Sequence, residues 1–111
     1  MKYGLEDDII VKIQNVFATF PQVEKVILYG SRAKGDFKPG SDIDLTLFGE
    51  SIDLSIMNQI GLMLDDLLLP YTFDLSVFKH IRNKELLEHI DRVGVEFYCR
   101  VELGSGPIAD I

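Results

Sequence analysis

The sequence predicts an α+β fold in which a small β-sheet is flanked by helices. Segments of strand length alternate with longer segments of helical periodicity, in the order helix, strand, strand, helix, strand, helix. Two of the strand segments alternate strictly between apolar and polar residues, which is typical of strands with one buried face. The chain has 111 residues, enough for a single core but too few for a second one.

The first predicted element is an amphipathic helix over residues 5–20, which ends before Pro21 and covers one face of the sheet. Its apolar side chains recur at spacings of three and four residues, and they are Leu5, Ile9, Ile13, Val16, Phe17 and Phe20. The next segment, residues 23–29, is almost continuously apolar. It is therefore predicted to be a central strand that is buried on both faces.

Gly30 and Ser31 follow this strand and are predicted to begin an anion-binding cradle. A glycine permits an unusual backbone conformation and the close approach of a ligand. Ser31 is predicted to cap a short helical turn that Gly35 closes, and the free N–H groups at its start suit an anion. Arg32 and Lys34 add positive charge nearby. A Gly-Ser pair alone is more often a simple turn, and the Gly-Lys-Ser/Thr of a P-loop does not follow.

A second strand is predicted over residues 42–48, and it carries a pair of carboxylates. Asp42 and Asp44 alternate with three apolar residues, so the acids share one face of the strand and the apolar residues the other. The backbone atoms of the two acids are then roughly 7 Å apart. Such carboxylates suit Mg²⁺ held jointly with phosphates, although short acidic patterns also occur on solvated strands.

Three longer elements are predicted in the second half of the chain. They are a helix over residues 53–69, a strand over residues 72–77 and a helix over residues 79–93. Asp74 is the lone acid on the polar face of the third strand. Residues 95–98 are predicted to be a short extended segment. Residues 99–111 are predicted to be a flexible tail.

Five polar side chains of this half are predicted to have no part in a site. Asp65 and Asp66 are predicted to lie on a solvated helix face. His80 and His89 do not share one helical face, so they are predicted to be surface residues rather than metal ligands. Cys99 has no cysteine partner and is predicted to be a free thiol.

The net charge of −7 argues against direct binding of nucleic acid, whose phosphates are met by Lys and Arg. No apolar stretch reaches membrane-spanning length, and no secretory leader pattern opens the sequence. We therefore expect a cytoplasmic protein without a membrane partner. A small ligand that carries Mg²⁺, or a basic protein partner, fits the charge better.

Taken together, Gly30-Ser31, ten intervening residues and Asp42-Ile43-Asp44-Leu45 resemble the signature of the nucleotidyltransferase superfamily that shares the DNA polymerase β palm fold. The form Gly-Ser-Arg-Ala-Lys-Gly followed by Ser-Asp-Ile-Asp-Leu is most similar to its small single-domain members, the minimal nucleotidyltransferases. The resemblance covers residues 1–98, which would form one domain with a mixed sheet. It implies a third carboxylate on a neighbouring strand, and Asp74 is the candidate.

The resemblance implies that AMP is transferred from ATP to a hydroxyl acceptor and that pyrophosphate is released. Three carboxylates are the implied catalytic residues and the ligands of two Mg²⁺ ions, namely Asp42, Asp44 and Asp74. The implied nucleotide-binding residues are those of the cradle, namely Gly30, Ser31, Arg32 and Lys34.

Minimal nucleotidyltransferases are often paired with a small helical protein of the HEPN class that is encoded nearby. In such toxin–antitoxin systems the nucleotidyltransferase adenylylates a tyrosine of the toxin. The resemblance thus implies a HEPN-type partner, which we expect to dock on an exposed apolar patch of the sheet or of the last helix. Two alternatives stay open, a non-catalytic antitoxin that occludes its partner and a homodimeric enzyme for small acceptors such as aminoglycosides.

Overall fold

Four strands and four helices make up residues 1–100, the part of the chain that the computed structural model describes. In chain order they are α1 (Asp7–Ala18), β1 (Lys25–Tyr29), α2 (Ser31–Lys34), β2 (Ile43–Phe48), α3 (Leu54–Asp66), β3 (Phe73–Val77), α4 (Lys84–Val93) and β4 (Val95–Cys99). This order confirms the predicted α+β class. The predicted tail lies, from residue 101 onward, outside the described residues.

The four strands form one mixed sheet in the order β3-β2-β1-β4. Strand β1 pairs antiparallel with both β2 and β4, whereas β2 pairs parallel with β3. The prediction that β1 is a central strand is therefore confirmed. The extended segment predicted near the end of the domain is a full edge strand, β4.

The main core lies on one face of the sheet, between the strands and the helices α1 and α3. Val26 and Leu28 of β1 and Leu45 and Leu47 of β2 have no exposed surface and belong to one cluster with the buried residues of both helices. Strand alternation therefore places the predicted apolar residues in the core. The opposite face of the sheet carries α4, because Gly94 at its end abuts Ile27 of β1.

The helix predicted over residues 79–93 begins later than expected. Residues Phe78–His80 form a separate 3₁₀ turn, and α4 starts at Lys84. Asn83 sets this start, because its side-chain Oδ1 accepts a hydrogen bond from the Leu86 N–H at 3.0 Å. The prediction was wrong here because it followed the apolar spacing alone and did not consider the cap.

The exposed large apolar side chains of residues 1–100 do not lie where a partner patch was expected. They are Met1, Val11, Leu54, Leu62 and Leu68, at the chain start, on α1, on α3 and just after α3. The sheet and α4 carry none of them. Asp65 and Asp66 are exposed as predicted, and Cys99 is an exposed free thiol. Within this part of the chain, every helix is too short or too polar to cross a membrane.

Candidate active site

One row of side chains crosses three neighbouring strands, and two of the predicted acids lie in it. The strand register pairs Tyr29 of β1 with Asp44 of β2, and Asp44 with Asp74 of β3. Residues paired in this way point to the same face of a sheet. The three side chains therefore stand side by side on the face opposite the α1/α3 core. We call Tyr29, Asp44 and Asp74 the carboxylate row.

The carboxylates of this site are crowded, and Asp44 is at the centre of the crowd. The pKa of Asp44 is raised from 3.8 to about 6, and burial is the largest cause. The charges of Asp74 and Asp42 and a hydrogen bond to Asp74 also raise this pKa, and the positive charge of Arg32 offsets only part of the rise. Asp42 lies just before β2 and is exposed. The predicted acids thus converge electrostatically, and Asp44 and Asp74 are in direct contact.

The crowding predicts how stability depends on pH. Because the pKa of Asp44 in the folded protein is about 6, above its usual 3.8, the folded state keeps a proton that the unfolded chain has already released between these values. Below pH 3.8 this proton stabilises the folded state in full, and the stabilisation is lost as the pH rises through the folded-state pKa of about 6. We expect the melting temperature of the wild type to fall more between about pH 4 and pH 7 than that of Asp44→Asn. Parallel melting curves for the two proteins would contradict this assignment.

Tyr29 completes the row and was not predicted as a site residue. Its side chain is buried, and burial raises the pKa of its phenol, an effect that the charges of Asp74 and Asp44 reinforce. The hydroxyl therefore stays neutral beside the two acids. Strand alternation could have identified Tyr29, because it occupies the face of β1 that is opposite to Val26 and Leu28.

Gly30 lies directly against Asp44, and this contact explains why a glycine ends the strand. Its φ of +78° is in the region that side-chain-bearing residues rarely adopt. A Cβ atom at this position would lie 2.1 Å from Oδ2 of Asp44. The sequence predicted an unusual conformation and a close approach at Gly30, and the group that approaches is a catalytic candidate of the same chain.

Gly30, rather than Ser31, occupies the N-cap position of α2. Ser31 is the first residue of this short helix, and the N-cap glycine has no side chain that could cap it. The predicted closing glycine is confirmed, because Gly35 has a left-handed conformation with φ of +91°. Lys34 is exposed, and its Nζ lies 3.4 Å from the Asp36 carboxylate. Ser31 is thus half-buried, whereas the Lys34 amine is exposed to solvent.

Arg32 is the predicted phosphate contact that the structure places elsewhere. Its side chain is buried, and its guanidinium donates hydrogen bonds to the carbonyl oxygens of Tyr3 at 2.8 Å and of Ser41 at 3.0 and 3.1 Å. The guanidinium also lies over the rings of Phe37 and Tyr71. It therefore ties the start of the chain to the loop before β2, and it has a structural role that its place in the motif could not reveal.

Replacing Arg32 will chiefly affect stability. Arg32→Met removes the three hydrogen bonds and leaves two half-buried carbonyl groups without these donors, so we expect a loss of about 3 kcal/mol in the free energy of unfolding. Arg32→Lys keeps the charge but not the planar fork of donors, so it should recover less than half of that loss. Urea denaturation of the three proteins measures both values. Full recovery by lysine would show that only the charge matters.

His89 also belongs to this site, although the sequence predicted a surface residue. It is half-buried, and its Nε2 accepts a hydrogen bond from the Gly30 N–H at 3.1 Å. Its ring meets the ring of Tyr29 edge to face, with centroids 6.1 Å apart. The prediction for His80 holds, since that residue is exposed. The missed signal was the spacing of His89 from Leu86 and Val93, which places it on the inner stripe of α4.

The donor chemistry of the site suits a hard divalent cation. Within residues 1–100, no three His, Cys, Asp or Glu side chains are already gathered in the arrangement of a metal site. Burial, followed by the neighbouring charges of Asp74 and Asp42, raises the pKa of Asp44, so its carboxylate form lacks a nearby group that neutralises it fully. Carboxylate oxygens are the ligands that Mg²⁺ prefers. Asp42, Asp44 and Asp74 therefore fit such an ion by their donor chemistry.

Comparisons with known proteins give one family match and several structures of similar fold. The sequence profile of the family described as "Polymerase beta, Nucleotidyltransferase" matches residues 11–103. No curated protein gives a significant match. The fold is similar to a chain in a crystal structure of a toxin–antitoxin complex with AMP-PNP, with a TM-score of 0.65 and 20% identity over 86% of this chain and 75% of the other.

A second similar structure is a complex of the tri-AMPylated HEPN toxin of Shewanella oneidensis with its MNT antitoxin. Its TM-score is 0.63, with 16% identity over 86% of this chain and 74% of that one. A third, the toxin–antitoxin complex MntA–HepT, has a TM-score of 0.62 and 16% identity over the same shares of the two chains. At these identities the likeness establishes the fold.

Proposed function

The chain belongs to the polymerase β nucleotidyltransferase family, and from that membership we propose that it transfers AMP from ATP to a hydroxyl group of a protein acceptor. The observation that carries the proposal is the carboxylate row beside Gly30, in which Asp44 and Asp74 face one another across β2 and β3. A protein that only binds a partner has no need to hold two acids in such an unfavourable contact.

The proposed reaction is an in-line displacement at the α-phosphorus of ATP. Asp74 would accept the proton of the acceptor hydroxyl, whose oxygen then forms a bond to the α-phosphorus. The bond between the α-phosphorus and the bridging oxygen breaks, and its electron pair leaves with pyrophosphate. Asp42, Asp44 and Asp74 would hold Mg²⁺. When bound, the ion would supply positive charge to balance the charge on the reacting phosphates.

The residues of the cradle would divide into binding and supporting roles. The Ser31 hydroxyl and the backbone N–H groups that follow Gly30 would bind the leaving phosphates. Lys34 would add positive charge once its ammonium group leaves the Asp36 carboxylate for a phosphate. This exchange is possible because an exposed ion pair is weak in water. Arg32 would act through the loop that it anchors, because its guanidinium already bonds to Tyr3 and Ser41.

We propose a tyrosine of a HEPN-type toxin as the acceptor, which would make the chain an antitoxin. Two of the similar structures support this choice. One is a toxin–antitoxin complex with AMP-PNP, and the other contains an AMPylated HEPN toxin. The net charge of −7 suits a partner with a basic surface.

Intact-protein mass spectrometry tests the proposal. The chain is co-expressed with its neighbouring gene product, purified, and incubated with ATP and Mg²⁺ or with ATP and EDTA. We expect the partner to gain whole AMP units only with Mg²⁺, and not with the variant Asp44→Asn. Digestion and fragmentation of the product then show whether AMP is on a tyrosine.

Two other outcomes would overturn parts of the proposal. A stable complex that gains no mass, and whose toxin is nevertheless inactive, would favour an antitoxin that acts by occlusion. Transfer of AMP to an added aminoglycoside by a homodimer, with no modification of any protein, would favour the enzyme for small acceptors.

A further inference from the structure

The hydrogen bond between His89 and Gly30 links α4 to the carboxylate row. Gly30 N–H donates to Nε2 of His89 at 3.1 Å, and the two residues are far apart in the chain. Nε2 accepts this bond through its lone pair. The N–H at the start of the cradle therefore has a side-chain acceptor within the chain.

The position of His89 is fixed by its own helix. Asn83 caps the start of α4, and Ile90, the neighbour of His89, is buried. At the end of the helix, a Cβ atom on Gly94 would lie 2.7 Å from Cγ2 of Ile27, so α4 lies tightly against β1. The edge-to-face contact with Tyr29 restrains the ring itself. His89 is thus a rigid acceptor, not a mobile surface side chain.

The orientation of the Gly30 peptide in turn determines the place of Asp44. The Gly30 backbone leaves no room for even one methyl group before Oδ2 of Asp44. A rotation of this peptide would therefore either press on the carboxylate or open a gap beside it. With φ of +78°, glycine has wide conformational freedom, and an acceptor for its N–H removes much of that freedom.

We infer that His89 is a positioning residue, which accepts the Gly30 N–H and so holds the backbone that fixes the Asp44 carboxylate. The inference rests on the proposed nucleotidyl transfer for its effect on rate, but not for the hydrogen bond itself. The role requires an acceptor atom at the place of Nε2. It does not require an imidazole.

Three substitutions of His89 test whether its side chain acts as a hydrogen-bond acceptor or only fills space. His89→Leu keeps apolar volume and loses the acceptor. His89→Gln can place its Oε1 near the position of Nε2, whereas His89→Asn is too short to do so. We expect His89→Leu and His89→Asn to lower the kcat of transfer about 10- to 100-fold, because a small displacement of a reacting group has an effect of that order. His89→Gln should stay within about threefold of the wild type.

Amide hydrogen exchange gives a measurement that does not depend on activity. The Gly30 amide should exchange slowly in the wild type and in His89→Gln, and at least about tenfold faster in His89→Leu, since the bond that protects it is lost. Binding of α,β-methylene ATP, which cannot transfer its AMP, gives the fraction of competent protein and so corrects each kcat for misfolding.

The outcomes distinguish this inference from the proposed function. If the wild type transfers no AMP, the proposed function fails. The role of His89 is then decided by two measurements on the variants, the hydrogen-exchange rate of the Gly30 amide and the affinity of the protein for Mg²⁺ and α,β-methylene ATP. Unchanged exchange in His89→Leu would overturn the inference. Full activity of His89→Leu together with low activity of His89→Gln would also overturn it, because that pattern indicates packing.

Discussion

Asp44→Asn is expected to lower the rate of AMP transfer by about 10³-fold or more, the largest effect of any single substitution. The variant keeps the shape of the side chain and removes the central negative charge of the site. The loss of a carboxylate that we propose to hold Mg²⁺ would remove several kcal/mol of charge stabilisation, and 1.36 kcal/mol corresponds to a factor of ten in rate. The measurement is the rate of partner modification at saturating ATP.

Asp44→Asn should be more stable than the wild type, although it transfers AMP more slowly. At neutral pH, the substitution relieves the repulsion between Asp44 and its two acidic neighbours, so the melting temperature should rise. Asp66→Asn is the matched control, because Asp66 is an exposed acid at the end of α3. It removes the same charge and should alter neither the rate nor the pH dependence. An equal loss of rate in both variants would refute a specific role for Asp44.

Gly30→Ala is expected to lose at least about 100-fold in transfer rate and about 3 kcal/mol in the free energy of unfolding. Two separate causes contribute to the loss of stability. The backbone must hold φ of +78° with a side chain present, and the new methyl group would meet Oδ2 of Asp44 at 2.1 Å. Because real contacts of this kind are longer than 3.0 Å, the carboxylate must move by about 1 Å.

Gly40→Ala separates the two causes. Gly40 has φ of +86°, close to that of Gly30, but an added Cβ atom would meet nothing within 4 Å. We expect a loss of about 1 kcal/mol in stability from backbone strain and an unchanged transfer rate. If Gly40→Ala lost as much activity as Gly30→Ala, backbone strain in general would explain the effect, and the contact with Asp44 would not.

The strands and their faces could be predicted from the sequence because alternation is a local property. Asp44 and Asp74 were placed on the polar faces of β2 and β3, and the register now shows them side by side. Periodicity alone could not show which strands are neighbours, so the pairing depended on the family resemblance. The start of α4 was less predictable, because a cap such as Asn83 competes with a continuous apolar pattern.

The hydrogen-bond partners of Arg32 and His89 could not be predicted, because they lie in other elements and loops of the fold. Arg32 follows the glycine and serine of the motif, where a positive charge suggests a phosphate, yet its bonds go to Tyr3 and Ser41. His89 is separated from Gly30 by most of the chain. Local patterns identify the type of a side chain and its face, whereas the identity of a hydrogen-bond partner is decided by the tertiary fold.

The parallel pairing of β2 with β3 has a consequence for the order of folding. Strands β1 and β2 are joined through the short helix α2 and a loop, whereas the connection from β2 to β3 includes the longer helix α3. Pairings that close longer segments form later, because the entropy of closure precedes the gain from contact. We therefore expect Asp44 and Asp74 to come together only after β1 and β2 have paired. A partly folded chain would hold the cradle but would not yet have a site for catalysis.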